Sequence, residues 1–201
     1  MAFVHPDAKL GDNNIIGPFC YIDADVVIGD SNVMQNSVTL NQGTRMGSGN
    51  EIFPGTSIST KPQDLKYRGE TTTCQIGDNN SIRENVTISR GTASKGTTIV
   101  GSNNLLMENM HIAHDCIIGN NCIIGNSTKF AGEVVVDDCA IISAEVLFHH
   151  FCQSVDLSEM SKKRERKSSS LKRSVRYSCS SLMERFCLLH KIMSLMHWRI
   201  Q

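Results

Sequence analysis

Apolar side chains recur at every sixth position over most of this chain. The series starts at Val4 and runs through Leu10, Ile16, Ile22, Ile28, Met34, Leu40, Met46, Ile52 and Ile58. It returns at Ile76, Ile82 and Ile88, then continues from Val100 through Leu106, Ile112, Ile118, Ile124, Phe130, Val136 and Ile142 to Phe148. Of the 25 slots, 22 are apolar, the exceptions being Asp64, Glu70 and Ser94, whereas a chain that is 40% hydrophobic fills about ten by chance. A fixed short period predicts a solenoid, in which each repeat buries its apolar face against its neighbours.

The flanking slots agree with that prediction. Two residues before the apolar slot the side chain is usually small, as at Ala8, Cys20, Val26, Thr44, Thr56, Cys74, Cys116, Cys122 and Thr128. A small residue beside a large aliphatic one suits a narrow prism filled by its own side chains. Four of the eight cysteines occupy this slot, where Cys behaves as a small hydrophobe. The residue after the apolar one is often glycine (Gly11, Gly17, Gly29, Gly47, Gly77, Gly101, Gly119, Gly125), which predicts a tight corner with positive φ.

The combined pattern resembles the hexapeptide-repeat family. The resemblance implies an all-β, left-handed parallel β-helix of 18 residues per coil, with coils stacked at the strand spacing of about 4.8 Å. Ile58 to Ile76 and Ile88 to Val100 keep the phase, so 59–75 and 89–98 are expected to be loops leaving a β-helical domain of residues 1–153. Loops on a rigid scaffold commonly carry function.

Composition divides the chain in two. Residues 1–153 hold 9 Lys+Arg and 16 Asp+Glu, a net of −7, and residues 154–201 hold 11 and 4, a net of +7. All 15 glycines and all four prolines lie in the first part. A formal net charge of zero gives no global attraction to nucleic acid or to an anionic membrane. No apolar run reaches the roughly 18 residues of a membrane span. The first residues lack a signal-peptide pattern, and no CxxC pair is present; reduced thiols and a cytoplasmic protein are expected.

Candidate chemistry concentrates at His111–Cys116 (HIAHDC). Ile112 points inward by phase, which puts His114 outside the prism. Steps of 18 give the column Gly96, His114, Gly132 and His150. An imidazole beside a side-chain-free backbone N–H fits a general base next to an oxyanion donor in acyl transfer, with Asp115 or another carboxylate orienting the ring. The residues alone leave two other readings open: ordinary surface histidines, or zinc ligands as in solenoid carbonic anhydrases, with His149 or His150 as the third. The charged segment Lys61–Glu70 (KPQDLKYRGE) is either a phosphate-holding loop or a solvated one. Gly91–Gly96 (GTASKG) lacks the ending and the helix of a phosphate loop.

Several longer segments sharpen the resemblance: Pro62–Gly69 (PQDLKYRG), Ile82–Ile88 (IRENVTI), Arg90-Gly91-Thr92, Gly101–Met107 (GSNNLLM), His111–Cys116 (HIAHDC) and His149–Cys152 (HHFC). Together they resemble the acyl-[acyl-carrier-protein]–UDP-N-acetylglucosamine O-acyltransferases of lipid A synthesis, over about residues 1–153. That resemblance implies transfer of a 3-hydroxyacyl chain from acyl carrier protein to the sugar 3-hydroxyl. It implies no cofactor, no metal, and an active site between subunits of a homotrimer. His114 matches the general base and the Gly132 N–H the oxyanion donor. Gln63, Asp64, Lys66, His111, His149 and His150 match substrate contacts, the last being commonly Gln in the family. Glu133, also at a substrate-contact position, departs from the histidine that many members carry.

After Gln153 the period is lost, and the chain resembles neither the further coils nor the helical C-terminal domain of the family. Residues 154–201 are expected to be an irregular or partly helical basic tail. The change of composition there is the pattern a truncated or frame-shifted sequence produces. Two alternatives remain: the related N-acyltransferase of the same pathway, and an inactive solenoid or trimer scaffold.

Overall fold

The computed structural model describes residues 1–151 and the backbone of two short strands, Gln153–Ser154 and Tyr177–Ser178. The described residues form no helix. Their strands, mostly two residues long, assemble into three parallel sheets of eight, nine and seven strands; the one antiparallel pair joins Gln153–Ser154 to Tyr177–Ser178. Consecutive strands belong to different sheets, so three hexads make one turn of a left-handed triangular coil. The other expectations for residues 154–201 lie outside the described residues.

Phase becomes burial in this geometry. The apolar slots from Ile22 to Phe148 are buried in one continuous core with the small slots beside them. Burying each large aliphatic contributes about 1.5–3 kcal/mol. Val4, in the first coil, is still 37% exposed because only one coil covers it. Cys20, Cys74, Cys116 and Cys122 are free and buried. Burial pushes the Cys74 thiol up to about 12 and the Cys116 thiol up to about 11, so both behave as inert small apolar groups.

Two expectations are corrected. The glycines that follow the apolar slot do not have positive φ. The positive-φ corner lies two residues later and carries Asn13, Asn103, Asn121 and other non-glycine residues at φ near 57°. Short polar side chains tolerate that region. Glycine is needed for another reason: a methyl group at Gly17 would lie 2.7 Å from the carbonyl carbon of Gln35 in the next coil.

The second correction concerns the register. Most coils stack at a step of 18, as in Phe3↔Tyr21 and His111↔Lys129. Across the two loops the step lengthens to 30 (Ser57↔Thr87) and 24 (Thr87↔His111). After the second loop Ile99↔Ile117 is again 18 apart, but a methyl group at Gly96 would meet nothing within 4 Å, whereas one at Gly132 would meet the rings of His114 and His150. The column of rings thus includes Gly132 and His150 and not Gly96. The loops themselves are narrower than expected, because the strands Ser57–Thr60, Thr73–Ile76, Thr87–Ser89 and Thr97–Val100 extend into them. Residues 61–72 and 90–96 remain as loops.

One internal column is polar. Asn14, Asn32, Asn50, Asn80 and Asn104 occupy the small slot at one corner. Each next asparagine donates its backbone N–H to the side-chain oxygen of the one before, at 2.9 Å throughout. Cys122 ends the ladder, its N–H bonding Asn104 Oδ1 at 2.7 Å. Among the described residues no buried side-chain polar atom lacks a partner.

Candidate active site

The site begins where the strand His111–Ile112 ends. Ile112 is fully buried in the core, and the chain turns at Asp115, whose φ is +60°. This turn puts His114 outside the prism, as its phase predicts, but not on an open face. His114 is 7% exposed, with Asp64 of the 61–72 loop, Asp115, Gly132 and His150 set around its ring.

Asp115 is fully buried beneath the ring. Its Oδ2 lies 2.9 Å from His114 Nδ1 and accepts a 2.5 Å hydrogen bond from Thr92 Oγ1, while Oδ1 accepts the Thr92 N–H at 2.9 Å. A carboxylate only accepts, so the hydrogen of the neutral imidazole sits on Nδ1 and the lone pair on Nε2. Thr92 gives the shorter loop a function: it locks the carboxylate that orients the ring.

Nε2 faces Gly132 and Asp64. A methyl group at Gly132 would lie 2.6 Å from His114 Nε2 and 2.9 Å from His150 Cε1, so the imidazole can hold its place only over glycine. Among the described residues no hydrogen bond uses the Gly132 N–H, which leaves a donor beside the His114 ring. Asp64 Oδ2 lies 3.7 Å from Nε2. The Lys66 backbone N–H holds the Asp64 carboxyl below its ordinary range, helped by the charges of His114, Lys66 and His150 against some burial.

The remaining candidates divide. Gln63, His111 and His150 line one cleft with His114 and Gly132. His111 Nδ1 pairs with Thr87 Oγ1 at 2.8 Å, and burial, then Lys129 and His114, hold its pKa below the ordinary value. The His150 ring centre is 6.0 Å from that of His114. Glu133 follows Gly132 at φ +63° and accepts a hydrogen bond from Ser94 Oγ at 3.2 Å. Lys66 and His149 are exposed and do not line the cleft; Lys66 acts on the site through its backbone.

Three contributors escaped sequence reasoning. Thr92 and Arg90 sit in a motif quoted only as part of the resemblance, and Lys129 occupies an ordinary outward slot yet lines the cleft. The cleft is also bordered by Ala113, Ala131 and the exposed Leu147, and it reaches Phe130 and Phe148, whose rings lie in the prism core stacked at 4.6 Å. Among the described residues no three His, Cys, Asp or Glu side chains converge to hold a metal ion, so the zinc reading finds no ligand set there. No helix among them is long and apolar enough to cross a membrane. An imidazole with an ordered tautomer, an N–H beside it that is unpaired among the described residues, and an exposed leucine at the edge of the cleft form an arrangement suited to acyl transfer onto a hydroxyl.

Comparison with known proteins gives the same direction. The family model described as bacterial transferase hexapeptide (six repeats) matches residues 7–42 and 97–132. A UDP-N-acetylglucosamine acyltransferase from Bacteroides fragilis is 62% identical, with a TM-score of 0.75, over 76% of this chain and 60% of that one. The corresponding enzyme from Francisella novicida is 45% identical, with a TM-score of 0.75, over 76% of this chain and 56% of that one. This chain thus spans well under two thirds of either protein. LpxA from Acinetobacter baumannii is 31% identical, with a TM-score of 0.69, over 83% of this chain and 76% of that one. The repeat, the three-sheet prism and these likenesses together make this chain a member of the UDP-N-acetylglucosamine acyltransferase family.

Proposed function

We propose that this protein transfers a 3-hydroxyacyl group from acyl carrier protein to the 3-hydroxyl of UDP-N-acetylglucosamine, in lipid A synthesis in the cytoplasm. The observation that carries the reading is the ordered His114–Asp115 pair beside the free N–H of Gly132. His114 Nε2 accepts the proton of the sugar hydroxyl as its oxygen attacks the thioester carbonyl. The new C–O bond gives a tetrahedral intermediate whose oxyanion takes the Gly132 N–H. Collapse breaks the C–S bond, and the thiolate leaves with the proton returned by Nε2. No cofactor enters these steps. Asp115 keeps the hydrogen on Nδ1 and stabilises the imidazolium that forms.

Gln63, Asp64, Lys66 and His111 hold the sugar nucleotide, with Glu133, His149 and His150 completing the contacts. The exposed Leu147, with Ala113 and Ala131 beside it, takes the start of the acyl chain. Residues 1–153 act as one β-helical domain, which assembles as a homotrimer with the site between subunits.

The test is an acyl-transfer assay on the purified chain, with sedimentation to read its assembly. The wild type is expected to turn over as a trimer. His114→Ala is expected to lose at least about 100-fold in kcat, as loss of a positioned base does, with an unchanged sedimentation profile. A folded His114→Ala protein at near wild-type rate refutes the assignment. A trimer without turnover favours the scaffold reading.

A further inference from the structure

Arg90 is a buried cation that the acyl-transfer steps do not use. It opens the 90–96 loop and is 9% exposed. Its Nη2 and Nε donate to the Tyr67 hydroxyl at 2.9 and 3.2 Å. Its Nη1 donates to the carbonyl oxygens of Gln42 at 3.2 Å and Ser59 at 3.5 Å. None of the ion pairs among the described residues involves it. One guanidinium thus joins the wall of the solenoid to the 61–72 loop. Its planar, five-donor fork is suited to bridging oxygens on two elements at once.

The loop moves with Tyr67 because it is tied within itself. The Tyr67 N–H bonds the Asp64 carbonyl at 3.1 Å, and the Lys66 N–H bonds Asp64 Oδ1 at 2.8 Å. The Tyr67 hydroxyl donates onward to the Glu70 carbonyl at 3.1 Å, and Arg68 Nη1 to the Leu65 carbonyl at 2.7 Å. The loop tip has little packing, with Leu65 95% exposed. Among the described residues, the polar contacts joining 61–70 to the rest are the Arg90–Tyr67 bonds and the Asp64–His114 pair. Holding Tyr67 therefore sets where Gln63 and Asp64 stand relative to His114.

We propose that Arg90, through Tyr67, is a positioning residue that sets the Gln63–Lys66 segment over His114 and so governs affinity for the sugar nucleotide rather than the rate of transfer. The substrate named in this inference rests on the acyl-transfer reading; the clasp itself rests on the geometry.

Tyr67→Phe removes one hydroxyl and keeps the ring, so the fold is retained. Its KM for UDP-N-acetylglucosamine is expected to rise about tenfold, equivalent to about 1.4 kcal/mol, with kcat and the acyl-donor KM within about twofold of wild type. Arg90→Lys keeps the charge but loses the fork, and is expected to show the same split. Trypsin supplies a readout independent of activity, because Lys66 and Arg68 are both exposed on this loop. Cleavage there is expected to accelerate in both variants. Unchanged KM with unchanged cleavage overturns the clasp, and so does a loss confined to kcat. If the wild type transfers no acyl group, the acyl-transfer reading fails, and the trypsin comparison alone decides the clasp.

Discussion

At Gly132 the absent side chain makes room for the imidazole of His114. A methyl group there would lie 2.6 Å from Nε2 and would have to displace either the ring or the coil. The coil is held by its stack, with the Glu133 N–H bonded to the His114 carbonyl at 3.0 Å, so the ring is the part that gives. Gly132→Ala is therefore expected to fold and to lose about 100- to 1,000-fold in kcat, the scale of a lost oxyanion-hole geometry, as measured by acyl-transfer kinetics with circular dichroism as the fold control. An active, folded Gly132→Ala protein contradicts the geometry. The pairing of His114 with Gly132 was legible in the sequence because their spacing of 18 is one coil. The depth of His114 was not legible, since Asp64 reaches its ring from a loop whose path no period describes.

At the scale of elements, the strands are too short to hold themselves and depend on columns. The apolar columns follow from the period. The asparagine ladder is also periodic, but a small-slot reading passes over it, because buried Asn is costly unless each polar atom finds a partner in the next coil. Asn80 donates to Asn50 Oδ1 through its backbone and side-chain nitrogens, at 2.9 and 3.0 Å, and accepts the Asn104 N–H at 2.9 Å. Asn80→Ala strands the Asn104 N–H and is expected to cost about 1–3 kcal/mol in urea unfolding. Asn14→Ala, at the partly exposed first rung, is expected to cost less. Equal costs at the two rungs would argue against a cooperative ladder. The loops show the converse limit. Their existence was readable from the interrupted period, but Thr92 and Arg90 acquire roles only through Asp115 and Tyr67, each 23 residues away.

Over the whole molecule, stability is a sum of nearest-neighbour terms between coils. A central coil has two neighbours and an end coil one. Leu106 is fully buried in the middle of its stack, whereas Val4 is 37% exposed at the start. Leu106→Ala is expected to cost about 2–5 kcal/mol, and Val4→Ala less than about 1 kcal/mol, in chemical denaturation. A comparable cost at both sites would mean that the first coil is covered by something outside its own stack.

The hexad period determined the solenoid, the interior cysteines, the places where loops leave and the column linking His114, Gly132 and His150, because each depends only on spacing along one chain. Three things were decided by the tertiary structure. The register across the loops lengthens to 30 and 24, and Gly96, at the end of the second loop, faces open space rather than the His114 ring. Glycine after the apolar slot is required by the approach of the next coil, and not by its own φ. The tautomer of His114 is set by Asp115 and Thr92, which meet only when the second loop folds back. The first and third arise from contact at separations that no repeat specifies; the second acts across one coil, at the repeat's own step of 18, where the backbones come too close for a side chain.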